Sequence, residues 1–198
     1  MVGIGGGVGV VVAGGTADIF VGGPVSEMWA AYGGGMDGLR LGLTAAAVVT
    51  AGVGVGTTIP AVRAGMAARH LPDPVWRWLL VDIPIGTVWT EEVIYRGVVG
   101  TVATAAFGPV LGRLVQAGIF GLSHISDARA TGEPVLGTVV LTGAAGWVFG
   151  WLATRSGGLL APALTHLAIN EAGAVAALVV QRQRQGRLAV VRRRDCPP

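Results

Sequence analysis

Apolar residues run along this chain in long blocks broken by Pro, Gly and charge, and six of these blocks are long enough to cross a bilayer: about 2–22, 38–58, 80–104, 108–126, 135–154 and 159–181. A spanning helix needs roughly 20 consecutive apolar residues. The pattern predicts an all-α, polytopic membrane helix bundle of about six transmembrane helices. Two tryptophans flank an arginine in Val75-Trp76-Arg77-Trp78, just before the third block, as expected of a segment anchored at the headgroup level. Glycines cluster at Gly5-Gly6-Gly7 and at Gly52-x-Gly54-x-Gly56, and small residues of that kind predict close helix packing in spans one and two.

Composition agrees with the pattern. Of 198 residues 52% are hydrophobic and 13% charged, and the mean hydropathy is +0.65. A soluble domain needs a more charged surface than that. The chain reads as one membrane domain over 1–198: N-terminal spans and loop at 1–74, a core at 75–182 and a basic tail at 183–198. The single cysteine, Cys196, has no internal partner, and Met1 to Gly15 lacks the basic region that opens a cleaved leader.

Charge adds an orientation. The net charge of +3 rests on arginine alone, and Arg182, Arg184, Arg187, Arg192, Arg193 and Arg194 follow the last apolar block. Such flanks fix topology and meet anionic lipid heads, so lipid is the expected partner and nucleic acid is not. The 59–79 loop, the 127–134 loop and the tail together hold ten arginines, against three (Arg40, Arg113, Arg155) in the alternate loops. With an even number of spans, both termini are expected to be cytoplasmic. The stretch from Gln181 onward is expected to be a mobile tail.

The candidate chemistry lies inside the apolar blocks, where ionisable groups cost several kcal/mol unless they pair or react. Three patterns stand out: Glu91-Glu92-x-x-x-Arg96, Phe120-x-x-x-His124 and His166-x-x-x-Asn170. On a helix Glu92 and Arg96 share a face and can neutralise one another, while Glu91 is rotated by about 100° and is free to serve as a general base. His166 and Asn170 share a face too, and their side chains can donate two hydrogen bonds to an oxyanion. Each pattern also has a plain structural reading, as an ion pair, an interfacial histidine or a polar pair joining helices. Glu91, His124 and His166 are also a conceivable three-ligand zinc set, although asparagine is a poor zinc ligand. Gly121-Leu122-Ser123-His124-Ile125 lacks the closing glycine of a nucleophile elbow, which argues against a serine mechanism.

In this order, each on its own apolar segment, the three patterns resemble the CAAX-protease and bacteriocin-processing (CPBP, or Abi) family of intramembrane endopeptidases, whose motifs are EExxxR, FxxxH and HxxxN or HxxxD. The resemblance covers about 75–182. It implies that Glu91 and His124 activate a water, that His166 and Asn170 stabilise the oxyanion, and that Glu92 and Arg96 hold the site together. It further implies a glutamate mechanism with no cofactor, zinc being the alternative, and a membrane-associated peptide or protein as substrate. Arginine without lysine, in a chain rich in Ala, Gly and Val, suggests a GC-rich bacterial gene and hence the inner membrane. The competing class is a non-catalytic immunity or scaffolding protein that binds a toxic peptide.

Overall fold

The computed structural model describes the backbone of residues 8–13, 16–21 and 35–195, and side-chain surroundings for 35–188. Near the N-terminus, β1 (Val8–Ala13) pairs antiparallel with β2 (Thr16–Val21) in the register Val8↔Val21 to Ala13↔Thr16. This corrects the first expected span. A short apolar run is ambiguous between helix and strand, and this one is rich in valine, with isoleucine and phenylalanine, residues that favour a pleated ribbon over a helix. The Gly5-Gly6-Gly7 cluster and Cys196 lie outside the described residues.

Every other described element is helical: α1 (Gly35–Gly56), α2 (Pro60–Ala68), α3 (Val75–Arg77), α4 (Gly100–Ser123), α5 (Ile125–Thr131), α6 (Val135–Ser156) and α7 (Leu160–Asp195). Between α3 and α4 the chain stays helical with wider, π-type turns over Trp78–Trp89 and Glu92–Val99. Pro84 sits inside the first of these segments and can donate no backbone hydrogen bond there. Wide turns of this kind gather at functional sites, and Glu91 and Glu92 lie at the junction of the two.

Four helices are long and apolar enough to cross a membrane: Gly35–Gly56, Val75–Thr131, Val135–Ser156 and Leu160–Leu188. That is fewer than the six expected, partly because the third and fourth blocks form one helical run. The run nevertheless doubles back. Gly108 has φ 77° and ψ 172°, a backbone conformation that only glycine reaches without strain. Beyond it, a Cβ on Gly112 would fall 2.6 Å from the Cα of Thr104. In an unbroken helix, residues eight apart are about 12 Å apart. The segment therefore supplies two antiparallel legs, and five legs run from Gly35 to Leu188. An odd number of legs sets Gly35 and the end of α7 at opposite ends of the bundle.

The legs pack α1 on α7, α4 on α6, and α6 on α7. Lipid supplies no hydrophobic force between helices, so close approach depends on small residues. At Gly121 a Cβ would fall 2.6 Å from the carbonyl oxygen of Val139, so α4 and α6 touch through bare backbone. By contrast Gly52, Gly54 and Gly56 have no neighbour within 4 Å and form no packing face, another correction. Large hydrophobics such as Val110, Leu136 and Leu141 are exposed along the outer surface, as a lipid-facing bundle requires.

The α7 helix continues through Asp195 rather than ending in a mobile tail at Gln181. Glutamine and arginine are good helix formers. Gln181 also ties the helix to the α1–α3 connection, donating through Nε2 to the carbonyls of Met66 (3.1 Å) and Arg69 (2.7 Å). Arg63 bonds the side chain of Gln183 in the same place. The connection around α2 and the C-terminal part of α7 therefore share one end of the bundle, and both carry arginines.

Candidate active site

Glu92 is the most deeply placed ionisable group, with no exposed surface. Its Oε1 accepts two hydrogen bonds, one from Arg96 Nη1 at 3.0 Å and one from His166 Nδ1 at 2.8 Å. The first is the i,i+4 pair read from the sequence. The second spans 74 residues of chain and joins the second wide-turn segment to α7. A buried carboxylate that meets both a guanidinium and an imidazole is stabilised by charge-assisted bonds, which are the strong ones.

The Arg96 guanidinium lies between two aromatic faces, 4.1 Å from the centroid of the Phe120 ring and 4.9 Å from that of Phe149. Those faces take over part of the solvation that burial removes from the cation. Phe149 also stacks on the His166 ring, with centroids 4.9 Å apart and an interplanar angle of 23°. Phe120 is itself wholly buried and meets Tyr95, His124 and His166 edge-on, at 5.0, 4.7 and 6.1 Å. Phe120 thus does more than pack against His124 one turn later. It is the hub through which both histidines and Arg96 are positioned.

A carboxylate at Nδ1 makes that nitrogen the donor, which turns Nε2 of His166 towards Glu91. Nε2 lies 3.7 Å from Glu91 Oε2, and this oxygen has no hydrogen-bond partner among the described residues. The separation is too long for a direct hydrogen bond and leaves room for a proton-carrying group beside both atoms. Unlike Glu92, the Glu91 side chain retains 24% of its surface exposed. The two adjacent acids therefore occupy different environments, as their angular separation predicts.

His124 caps the end of α4, where its Nδ1 lies 2.8 Å from the carbonyl oxygen of Phe120. A carbonyl only accepts, so Nδ1 carries the hydrogen and Nε2 of the neutral ring is left as the basic atom. Asn170, half-buried one turn beyond His166, makes no side-chain hydrogen bond within the described residues. Among those residues no group of three or more His, Cys, Asp and Glu side chains has the arrangement of a metal site. Glu91, Glu92, Arg96 and His166 are directly joined, His124 is joined to them through Phe120, and Asn170 flanks them on α7.

Sequence reasoning missed the Glu92–His166 bond and the roles of Phe149, Gln116 and Arg113. Phe149 carried no signal beyond being an aromatic residue in an apolar block. Gln116 did carry one, since a carboxamide in the middle of such a block is costly, and it is 1% exposed. Arg113 counted only as a loop charge, whereas its guanidinium lies 5.5 Å from the centroid of the Trp147 ring.

No curated protein and no solved structure matches the chain. Residues 73–172, which hold all three motifs, match the Type II CAAX prenyl endopeptidase Rce1-like family over about half of the chain. This integral membrane protein belongs to that family of proteases.

Proposed function

We propose that the protein is a glutamate-dependent intramembrane endopeptidase, with residues 75–182 as its catalytic core, that hydrolyses a peptide bond of a membrane-associated protein or peptide. The observation that carries this reading is the pairing of Glu91 Oε2 with His166 Nε2 at 3.7 Å, while Glu92 and Arg96 fix the far side of that imidazole. Glu91 takes a proton from a water lying beside it, and Nε2 of His124 accepts a hydrogen bond from the same water. The water oxygen attacks the carbonyl carbon. The oxyanion that forms is held by the carboxamide of Asn170 and by His166 acting as an imidazolium, which gives Nδ1–H to Glu92 and Nε2–H to the oxyanion, donors that are worth most where bulk water is excluded. Glu91 then returns the proton to the amide nitrogen, the C–N bond breaks, and a carboxylic acid and an amine leave.

Glu92 and Arg96 are positioning residues in this scheme. Their ion pair holds the His166 ring through Nδ1–H and so fixes where its Nε2 points, much as outer carboxylates orient catalytic imidazoles. No metal is required, because the base, the oxyanion donors and the proton carrier are all side chains. The arginine-rich end, formed by the α1–α3 connection, α5 and the end of α7, faces the cytoplasm by the positive-inside rule. Lipids and a membrane-anchored peptide are the partners.

The test is cleavage of a library of membrane-anchored peptides by protein reconstituted in vesicles, with strong chelator present. Cleavage by the wild type that Glu91→Gln abolishes is the expected result. Cleavage that stops in chelator and returns with zinc alone would recast Glu91, His124 and His166 as ligands.

A further inference from the structure

At the arginine-rich end of the bundle, α2 and the end of α7 face one another across an open groove of about 460 Å³. On α2, Arg63 and Ala67 line it one turn apart, and on α7 Val180, Arg184, Arg187 and Leu188 follow at i, i+4, i+7 and i+8. Such spacing gathers each set on one face of its helix. None of the residues assigned to bond cleavage lies in this groove.

Two of the three arginines reach across it with their side chains. Arg63 bonds the side-chain oxygen of Gln183, and Nη1 of Arg184 lies 3.5 Å from the carbonyl oxygen of Ala67. A guanidinium carries five N–H donors, so each of these contacts leaves most of the donors free. Arg187 is exposed and spends none on any described residue. None of the three forms an ion pair with an acid among the described residues.

An arginine that only marks orientation extends into water by itself. Here three converge on one concavity, and Arg184 and Arg187, three residues apart on α7, repel each other. An anion in the groove removes that repulsion, and forked guanidinium donors match the oxygens of a phosphate two at a time. The neighbours of the arginines select the kind of anion. Val62 and Leu188, next in sequence to Arg63 and Arg187, are 38% and 56% exposed, and Ile59 at the start of α2 is 50% exposed. Large apolar residues beside cations suit a ligand that is charged at one end and apolar at the other, whereas a soluble polyanion gains nothing from them.

We infer that the groove between α2 and the end of α7 binds the phosphate of an anionic glycerophospholipid: Arg63, Arg184 and Arg187 hold the phosphate, and the exposed apolar residues meet the acyl chains. Basic pockets between membrane helices take anionic headgroups in this way. The bound phosphate ties α2 to α7 beside the bonds that Gln181 makes to Met66 and Arg69. The inference stands apart from the proposed hydrolysis, since it concerns binding and needs no turnover.

The experiment is thermal unfolding of the purified full chain in neutral detergent at low ionic strength, titrated with phosphatidylglycerol, phosphatidylcholine, diacylglycerol and glycerol phosphate. Phosphatidylglycerol is expected to raise the melting temperature saturably, and the other three are not. Arg187 bonds no described residue, so Arg187→Gln should keep the lipid-free melting temperature while weakening phosphatidylglycerol binding; adding Arg184→Gln should bring the loss to roughly 10-fold or more. Arg129→Gln, on α5 at the same end of the bundle but outside the groove, should bind the lipid as the wild type does. Equal stabilisation by phosphatidylcholine and phosphatidylglycerol, glycerol phosphate as potent as the lipid, or a loss in Arg129→Gln equal to that of the paired variant would overturn the inference.

Discussion

Glu91 and Glu92 are neighbours in the chain with unlike surroundings, and mutation should separate them. Glu92→Gln removes the charge that both Arg96 and His166 lean on and leaves a buried guanidinium uncompensated. Breaking a buried pair in this way costs about 3–5 kcal/mol, so this variant should melt well below the wild type. Glu91 holds no such pair, and Glu91→Gln should keep the wild-type melting temperature. Equal destabilisation in both would contradict the division. Asn170→Ala should lower kcat by roughly 10²–10³-fold with KM nearly unchanged, since a donor to the oxyanion acts on the transition state. A KM effect alone would show that Asn170 only binds substrate. At this level the sequence was informative where partners are close in the chain. Glu92 and Arg96 are legible from i,i+4 spacing, as is the rotation of Glu91. The Glu92–His166 bond was not legible, because it depends on where α7 lies against a wide-turn segment 74 residues earlier.

Among the elements, glycine separates packing from composition. Gly121 meets the backbone of α6, and Gly121→Val should force α4 and α6 apart, lowering the melting temperature and activity together. Gly54 meets nothing, so Gly54→Ala should be neutral or slightly stabilising, by the ~1 kcal/mol that alanine gains over glycine in a helix. The reverse ranking would mean that the helices pack through α1. The sequence could not separate these positions, since both are glycines in apolar blocks and the difference lies in the partner. The β1–β2 hairpin was misread for a related reason. Hydropathy reports burial and not period, and a valine-rich run satisfies a strand as readily as a span. The reversal at Gly108 was anticipated as a break between blocks at 104 and 108, though not as a turn held within one helical run.

Taken whole, the bundle gathers its arginine-rich connections at one end and buries a compact polar cluster among apolar legs. Cysteine labelling in a Cys196→Ser background should find position 67, in α2, accessible from the cytoplasm and position 157, after α6, accessible from the opposite face. Access to both from one side would remove the orientation and the five-leg count together. The helical membrane class and the order of the three motifs were legible from hydropathy and spacing, because the cost of polar groups in hydrocarbon makes each one conspicuous.

The central claim is that Glu91 activates water without a metal. Its most direct measurement is cleavage of a membrane-anchored peptide in ¹⁸O-water, in chelator, by reconstituted wild type and Glu91→Gln matched for melting temperature. The account predicts product from the wild type with ¹⁸O in the new carboxylate, and a loss of at least 10³-fold in Glu91→Gln. Undiminished cleavage by Glu91→Gln, or a wild type that is inactive until zinc is restored, would contradict it.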